Sequence, residues 1–124
     1  MFKILIVEDS KFVRMITAKI LQEKFPSSTI LTACDPLEGY NIYQNEKPDL
    51  IITDLLMPNM NGQEFIQQIR QTNSQIPVIV LSADIQQATR DEMEQLGILT
   101  FINKPLSGDK TVHLINIIKE IFHA

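Results

Sequence analysis

Pro48-Asp49-Leu50-Ile51-Ile52-Thr53-Asp54-Leu55-Leu56-Met57-Pro58 is the segment on which the reading of this chain turns. From Leu50 to Thr53 there is no alternation of apolar and polar residues, so a strand here needs cover on both faces. It closes on an acid, Asp54, and then a turn. Working outward, four further apolar runs appear: Phe2–Val7, Thr29–Ala33, Pro77–Leu81 and Leu99–Ile102. The first and fourth of the five runs are as unbroken as the third.

The intervals between runs carry helical spacing. Val13, Ile16, Ile20 and Leu21 make one stripe, with Ser10 placed to cap its start and Pro26 beyond its end. Leu37, Tyr40 and Tyr43 make a shorter one after Pro36. Phe65, Ile66 and Ile69 follow an Asn61-Gly62 turn. Ile85, Ala88, Met93 and Leu96 run up to Gly97, a stop signal. Leu114, Ile115, Ile118, Ile121 and Phe122 form the last face. Five strand–helix alternations predict one α/β domain over residues 1–124, a doubly wound parallel sheet with helices on both sides. No linker, repeat or low-complexity stretch interrupts it.

Composition narrows the function. The chain has 124 residues, 44% of them hydrophobic, with eleven basic and fifteen acidic side chains and a net charge of −4. No apolar run approaches the ~20 residues of a membrane span. The N-terminal apolar stretch is too short for an export signal and runs into Glu8 and Asp9. One cysteine, Cys34, excludes a disulfide scaffold and is expected to be a small buried residue. The cytoplasm is the expected location. Without a basic run, direct nucleic-acid binding is not expected.

In open α/β sheets, sites form beyond the carboxyl ends of the strands. Glu8 and Asp9 follow the first run, Asp54 the third and Ser82 the fourth, while Lys104 follows the fifth. Three carboxylates that meet should raise at least one pKa unless a cation sits among them. A hard divalent ion such as Mg²⁺ suits such oxygen donors and commonly holds phosphate. Lys104 adds a positive charge and Ser82 a hydroxyl donor. Asp54, closing the central run, is the best-placed nucleophile for an aspartyl phosphate.

The segments Ile6-Val7-Glu8-Asp9-Ser10, Pro48 to Pro58 with Gly62, Ile79-Val80-Leu81-Ser82-Ala83 and Phe101-Ile102-Asn103-Lys104-Pro105 resemble those of response-regulator receiver domains, in order and spacing. The resemblance implies a flavodoxin-like five-stranded sheet in the order 2-1-3-4-5 with five helices. It implies that Asp54 accepts a phosphoryl group from a phosphohistidine on a sensor histidine kinase or a histidine phosphotransfer protein. It further implies that Asp9 and Asp54 bind Mg²⁺ (or Mn²⁺) directly, Glu8 through water, and Leu56 through its backbone carbonyl. Lys104 and Ser82 would contact the phosphoryl group. Phe101 would be a switch aromatic moving with Ser82, and the Lys104–Pro105 bond would be cis. Phosphorylation would alter affinity for a downstream protein of unknown identity.

The departures from the family pattern are small. Glu8 stands where many relatives have Asp, and Ser82 replaces the commoner Thr. Leu56 and Asp84 occupy variable positions that tune phosphoryl lifetime in the family. Leu99 and Thr100 replace paired acids seen in transcription-factor receivers, which weakens the case for their characteristic dimer. Met57, Pro58 and Gly62 read as loop-shaping residues, and His113 and His123 as surface or packing residues on the last helix. Phe12 and Met15, off the first stripe, are either contacts for the phosphodonor or partly buried against a neighbouring helix.

Two other functions use the same residues. A phosphorylation-independent interaction module of the same fold would normally lack the acid pair, the acceptor or the lysine, and this chain lacks none. A Mg²⁺-dependent phosphatase with an aspartyl intermediate would need a general acid two residues after Asp54, where Leu56 stands. The last helix ends close to Ala124, as expected of a stand-alone receiver and equally of one cut from a longer regulator; either would act only through autocatalytic phosphorylation and dephosphorylation and not as a turnover enzyme.

Overall fold

The computed structural model describes residues 2–56, 62–83 and 86–123. In chain order it runs β1 (Lys3–Val7), α1 (Lys11–Lys24), β2 (Thr29–Ala33), α2 (Pro36–Glu46) and β3 (Leu50–Thr53). It continues through α3 (Gly62–Thr72), β4 (Val78–Ser82), α4 (Gln87–Gln95), β5 (Thr100–Asn103) and α5 (Asp109–Phe122). The five strands form one sheet in the order β2-β1-β3-β4-β5, all neighbours parallel. β4 and β5 each begin and end one residue later than the apolar runs predict. No helix among the described residues is long and apolar enough to cross a membrane.

The unbroken apolar runs have a simple cause. Alternate residues of a strand point to opposite faces, and here both faces are covered. Ile4, Ile6, Leu50, Ile52, Ile79 and Leu81 pack with Leu21 of α1 and Leu114, Ile115 and Ile118 of α5. Leu5, Val7, Ile51, Val78 and Val80 pack on the other side with Phe65, Ile66 and Ile69 of α3 and Met93 of α4. The α3 and α5 stripes thus match the predicted faces.

Local signals start and stop the helices. The Ser10 hydroxyl accepts the Val13 N–H at 3.3 Å and caps α1. Asp35 caps α2 by accepting the Glu38 N–H at 2.8 Å, with Pro36 in the first turn. Gly97, at φ +76°, adopts the left-handed conformation just beyond α4.

Four sequence expectations are corrected. Cys34 is exposed, because β2 is an edge strand and the chain turns outward toward the α2 cap. Ile16 is not on the buried face of α1, which is made by Thr17 and Leu21 with Val13, Ala18 and Ile20 partly covered. Leu37 is 68% exposed, and Pro36 and Gly39 are the buried residues of α2. Gly39 lies against Val7 so closely that a Cβ there would stand 2.9 Å from the valine. Ala88 is exposed, leaving Met93 as the buried residue of α4. Helix spacing gives a stripe, but the sheet and neighbouring helices decide which edge of it is covered. The readings that involve Met57, Pro58, Asn61, Asp84 and Ile85 lie outside the described residues.

Candidate functional site

Parallel pairing brings every strand's carboxyl end to one edge of the sheet. The register sets Val7 beside Thr53, Thr53 beside Val80, and Ser82 beside Asn103. The next residues are therefore neighbours too. The Asp54 N–H donates to the Val7 carbonyl at 3.1 Å, and the Lys104 N–H to the Ser82 carbonyl at 2.9 Å. The chain goes from β1 to β2 on one side and returns to β3 on the other, so the crevice opens between the ends of β1 and β3.

Asp54 is buried, yet both its oxygens are satisfied. Oδ1 accepts from the Leu55 N–H at 2.6 Å, the Leu56 N–H at 3.0 Å and the Ser82 hydroxyl at 2.6 Å. Oδ2 accepts from Lys104 Nζ at 2.7 Å. The same ammonium reaches Glu8 Oε1 at 2.6 Å. Glu8, also buried, is held on its other oxygen by the Ser10 N–H at 3.0 Å. Asp9 is exposed, and its carboxylate lies within 4.8 Å of those of Glu8 and Asp54.

The electrostatics follow from this burial. Burial pushes the Glu8 carboxyl above its ordinary value and Asp54 adds to the rise, outweighing the pull of Lys104 and the Ser10 N–H. Burial alone would lower Lys104, but its bonds to Asp54 and Glu8 and the attraction of both carboxylates raise it. The lysine is therefore the cation that lets two buried acids sit side by side.

The oxygen-only donor set of Glu8, Asp9 and Asp54 fits a hard divalent cation such as Mg²⁺, since no nitrogen or sulfur ligand joins it among the described residues. The Leu56 side chain is 60% exposed while its N–H is turned to Asp54. Phe101 is half-buried against the α3–α4 side of the core, with the Arg90 guanidinium of α4 4.8 Å from its ring centroid. The Lys104–Pro105 bond is cis. His113 and His123 are exposed and away from the acids.

Other residues make contacts that the sequence reading did not assign. Gly62 fits under the acceptor loop, where a Cβ would stand 2.2 Å from the Asp54 carbonyl oxygen. The buried Thr53 hydroxyl donates to that same carbonyl at 2.8 Å. Arg14 Nη1 donates to the Glu8 carbonyl at 2.7 Å. Arg70 donates to the carbonyls of Leu96, Gly97, Asn73 and Ile76, tying the end of α4 to the end of α3. Beside Lys104, α1 and the segment after β5 enclose an apolar groove of about 420 Å³ lined by Phe12, Val13, Ile16, Thr17, Pro105 and Leu106.

The fold and the site thus define an α/β domain with a doubly wound five-stranded sheet and an acid trio, a lysine and a hydroxyl gathered at the carboxyl ends of its strands. The family model described as the response regulator receiver domain matches residues 4–116, and the chain belongs to that family. It is 33% identical over 114 residues to the chemotaxis protein CheY of Bacillus subtilis, covering 92% of this chain and 94% of that protein. It is 32% identical over 111 residues to the hybrid signal transduction histidine kinase D of Dictyostelium discoideum, 88% of this chain but only 7% of the kinase. Among solved structures, the receiver domain of a DNA-binding response regulator from Colwellia psychrerythraea superposes with a TM-score of 0.90. It shares 28% identity and both chains are fully covered. The chain is thus a receiver domain of two-component signalling, a class of regulatory phosphoacceptors that bind Mg²⁺ through acidic residues and take phosphate from histidine kinases.

Proposed function

We propose that residues 1–124 form one receiver domain in which Asp54 accepts a phosphoryl group from a phosphohistidine and the modified domain changes its affinity for a downstream protein. The observation that carries the reading is the position of Lys104 Nζ, within 2.7 Å of both Asp54 and Glu8 although the three residues follow different strands. Only a site built around negative charge needs that convergence.

In the proposed reaction an Asp54 oxygen forms the new P–O bond as the donor's P–N bond breaks, the electron pair leaving with the imidazole nitrogen. Oδ1 already accepts three hydrogen bonds, whereas Oδ2 accepts only that of Lys104. Oδ2 therefore has lone-pair density free for attack once the ammonium moves onto the phosphoryl oxygens. Ser82, 2.6 Å from Oδ1, needs little motion to donate to the same group. Asp9 and Asp54, with the Leu56 carbonyl and with Glu8 through water, would hold Mg²⁺, which supplies charge neutralisation at the phosphoryl oxygens.

Phe101 is the proposed output residue, since it lies where α4 meets β5 and two residues before Asn103, the strand partner of Ser82. The groove beside Lys104, with Phe12 71% and Met15 60% exposed on α1, is the proposed seat of the phosphodonor. The domain would be a switch and not a turnover enzyme, because Leu56 offers no general acid.

Intact mass after incubation with acetyl phosphate tests the proposal. One added phosphoryl group that requires Mg²⁺ and is absent from Asp54→Asn is the expected result. Incorporation into Asp54→Asn would refute the acceptor assignment. If acetyl phosphate adds no mass, beryllofluoride is titrated instead. Silence there too would favour a phosphorylation-independent interaction module.

A further inference from the structure

The three carboxylates of the site are held in different ways. Asp54 accepts from four donors and Glu8 from two. The Asp9 carboxylate takes part in no hydrogen bond or ion pair among the described residues. Its direction is therefore set by its backbone, in the short link between β1 and α1. That link is held by the Ser10 N–H on Glu8 and by Arg14, one turn into α1. Arg14 Nη1 donates to the Glu8 carbonyl at 2.7 Å and stands 3.4 Å from the Asp9 carbonyl.

Arg14 is half-buried and forms no ion pair among the described residues; the carboxylates of Glu8 and Asp9, whose carbonyls it meets, are not its partners. Coulomb attraction alone would turn a guanidinium toward them. It instead places one nitrogen, Nη1, on two successive carbonyls, and the planar guanidinium fixes the direction of that nitrogen's N–H bonds as an ammonium does not.

We infer that Arg14 is a positioning residue for divalent-cation binding: it clamps the Glu8 and Asp9 carbonyls and so aims the Asp9 carboxylate at the crevice. This rests on the proposed metal role of Asp9. Groups that orient metal ligands without touching the ion typically change affinity 10- to 100-fold when removed. The two ways in which Arg14 could act on the cation have opposite signs. Deleting a nearby positive charge strengthens cation binding, whereas releasing Asp9 weakens it.

The test is calorimetric titration of metal-stripped protein with Mg²⁺, beside urea denaturation of the same samples. Arg14→Met is expected to raise the Mg²⁺ dissociation constant about tenfold or more. Arg14→Lys, which keeps the charge but loses the fixed direction of the Nη1 N–H bonds, is expected to be intermediate and covers the case in which the methionine variant does not fold. An unchanged or tighter dissociation constant in the folded variants, even with a shifted urea midpoint, would overturn the inference and leave Arg14 a purely structural tie. Asp9→Asn, run in parallel, separates the two failures. If it binds Mg²⁺ as the parent does, the metal reading falls and the inference with it. If it loses binding while Arg14→Met does not, the positioning role alone falls.

Discussion

Replacing Lys104 with methionine, close in length but uncharged, removes the one cation that pairs with Glu8 and Asp54 among the described residues. Its ammonium is 2.6 Å and 2.7 Å from the two carboxylates, and the side chain is 16% exposed. At an effective dielectric of about 20 each contact is worth roughly 6 kcal/mol of Coulomb energy. Desolvating the ammonium offsets several kcal/mol of that. The cost of the substitution is easier to bound than the worth of the bridge, because the folded variant can relieve the two acids by protonating Glu8. Relative to an ordinary pKa of 4.5, holding that proton costs about 3.4 kcal/mol at pH 7 and about 0.7 kcal/mol at pH 5. The sign follows from the direction of the shift. Glu8 is already raised by burial and rises further without the lysine. Stability from a raised carboxyl is complete below 4.5 and is lost as pH climbs through the folded value. The variant should therefore trail the parent by about 3 kcal/mol at pH 7 and by less than about 1 kcal/mol at pH 5. Urea denaturation followed by far-ultraviolet circular dichroism, in EDTA at both pH values, measures this. A deficit of equal size at the two pH values would refute the view that Lys104 acts by neutralising the buried pair.

Three further outcomes are expected. Gly62→Ala puts a Cβ 2.2 Å from the Asp54 carbonyl oxygen and 2.8 Å from Leu55 Cα. The backbone must shift, lowering stability by about 1–3 kcal/mol and slowing phosphoryl incorporation measured by mass; parent-like values of both would show that the close approach is not rigid. Arg70→Met leaves four carbonyls without their charged donor. It should cost about 2–3 kcal/mol and accelerate hydrogen exchange in residues 96–99, while unchanged exchange there would remove Arg70 as the tie on α4. Ser82→Ala deletes the 2.6 Å donor to Asp54 Oδ1 and should slow incorporation from acetyl phosphate by about 100-fold or more. A parent-like rate would show that the hydroxyl does not contact the transferring group.

The α/β architecture was legible because its cause is local. Leu50-Ile51-Ile52-Thr53 has no polar alternation, and a strand without alternation must be covered twice. Glu8, Asp9, Asp54, Ser82 and Lys104 were legible for a related reason: each sits at or just past the carboxyl end of a strand, and a parallel sheet places all such positions on one edge. The strand order came from family resemblance, since alternation of strands and helices is compatible with several orders.

What the tertiary structure alone decided is which distant polar atoms meet and which edge of each stripe is covered. Arg14, Arg70 and Arg90 bind carbonyls or a ring, and every residue carries a carbonyl, so no spacing announces such a partner. Ile16, Leu37 and Cys34 are exposed because burial depends on the neighbour opposite, which lies elsewhere in the chain. Periodicity and chemistry are properties of a segment and survive in a one-dimensional reading. Contact, burial and the shared lysine of Glu8 and Asp54 belong to pairs and triples of segments, and exist only once the sheet has brought their ends together.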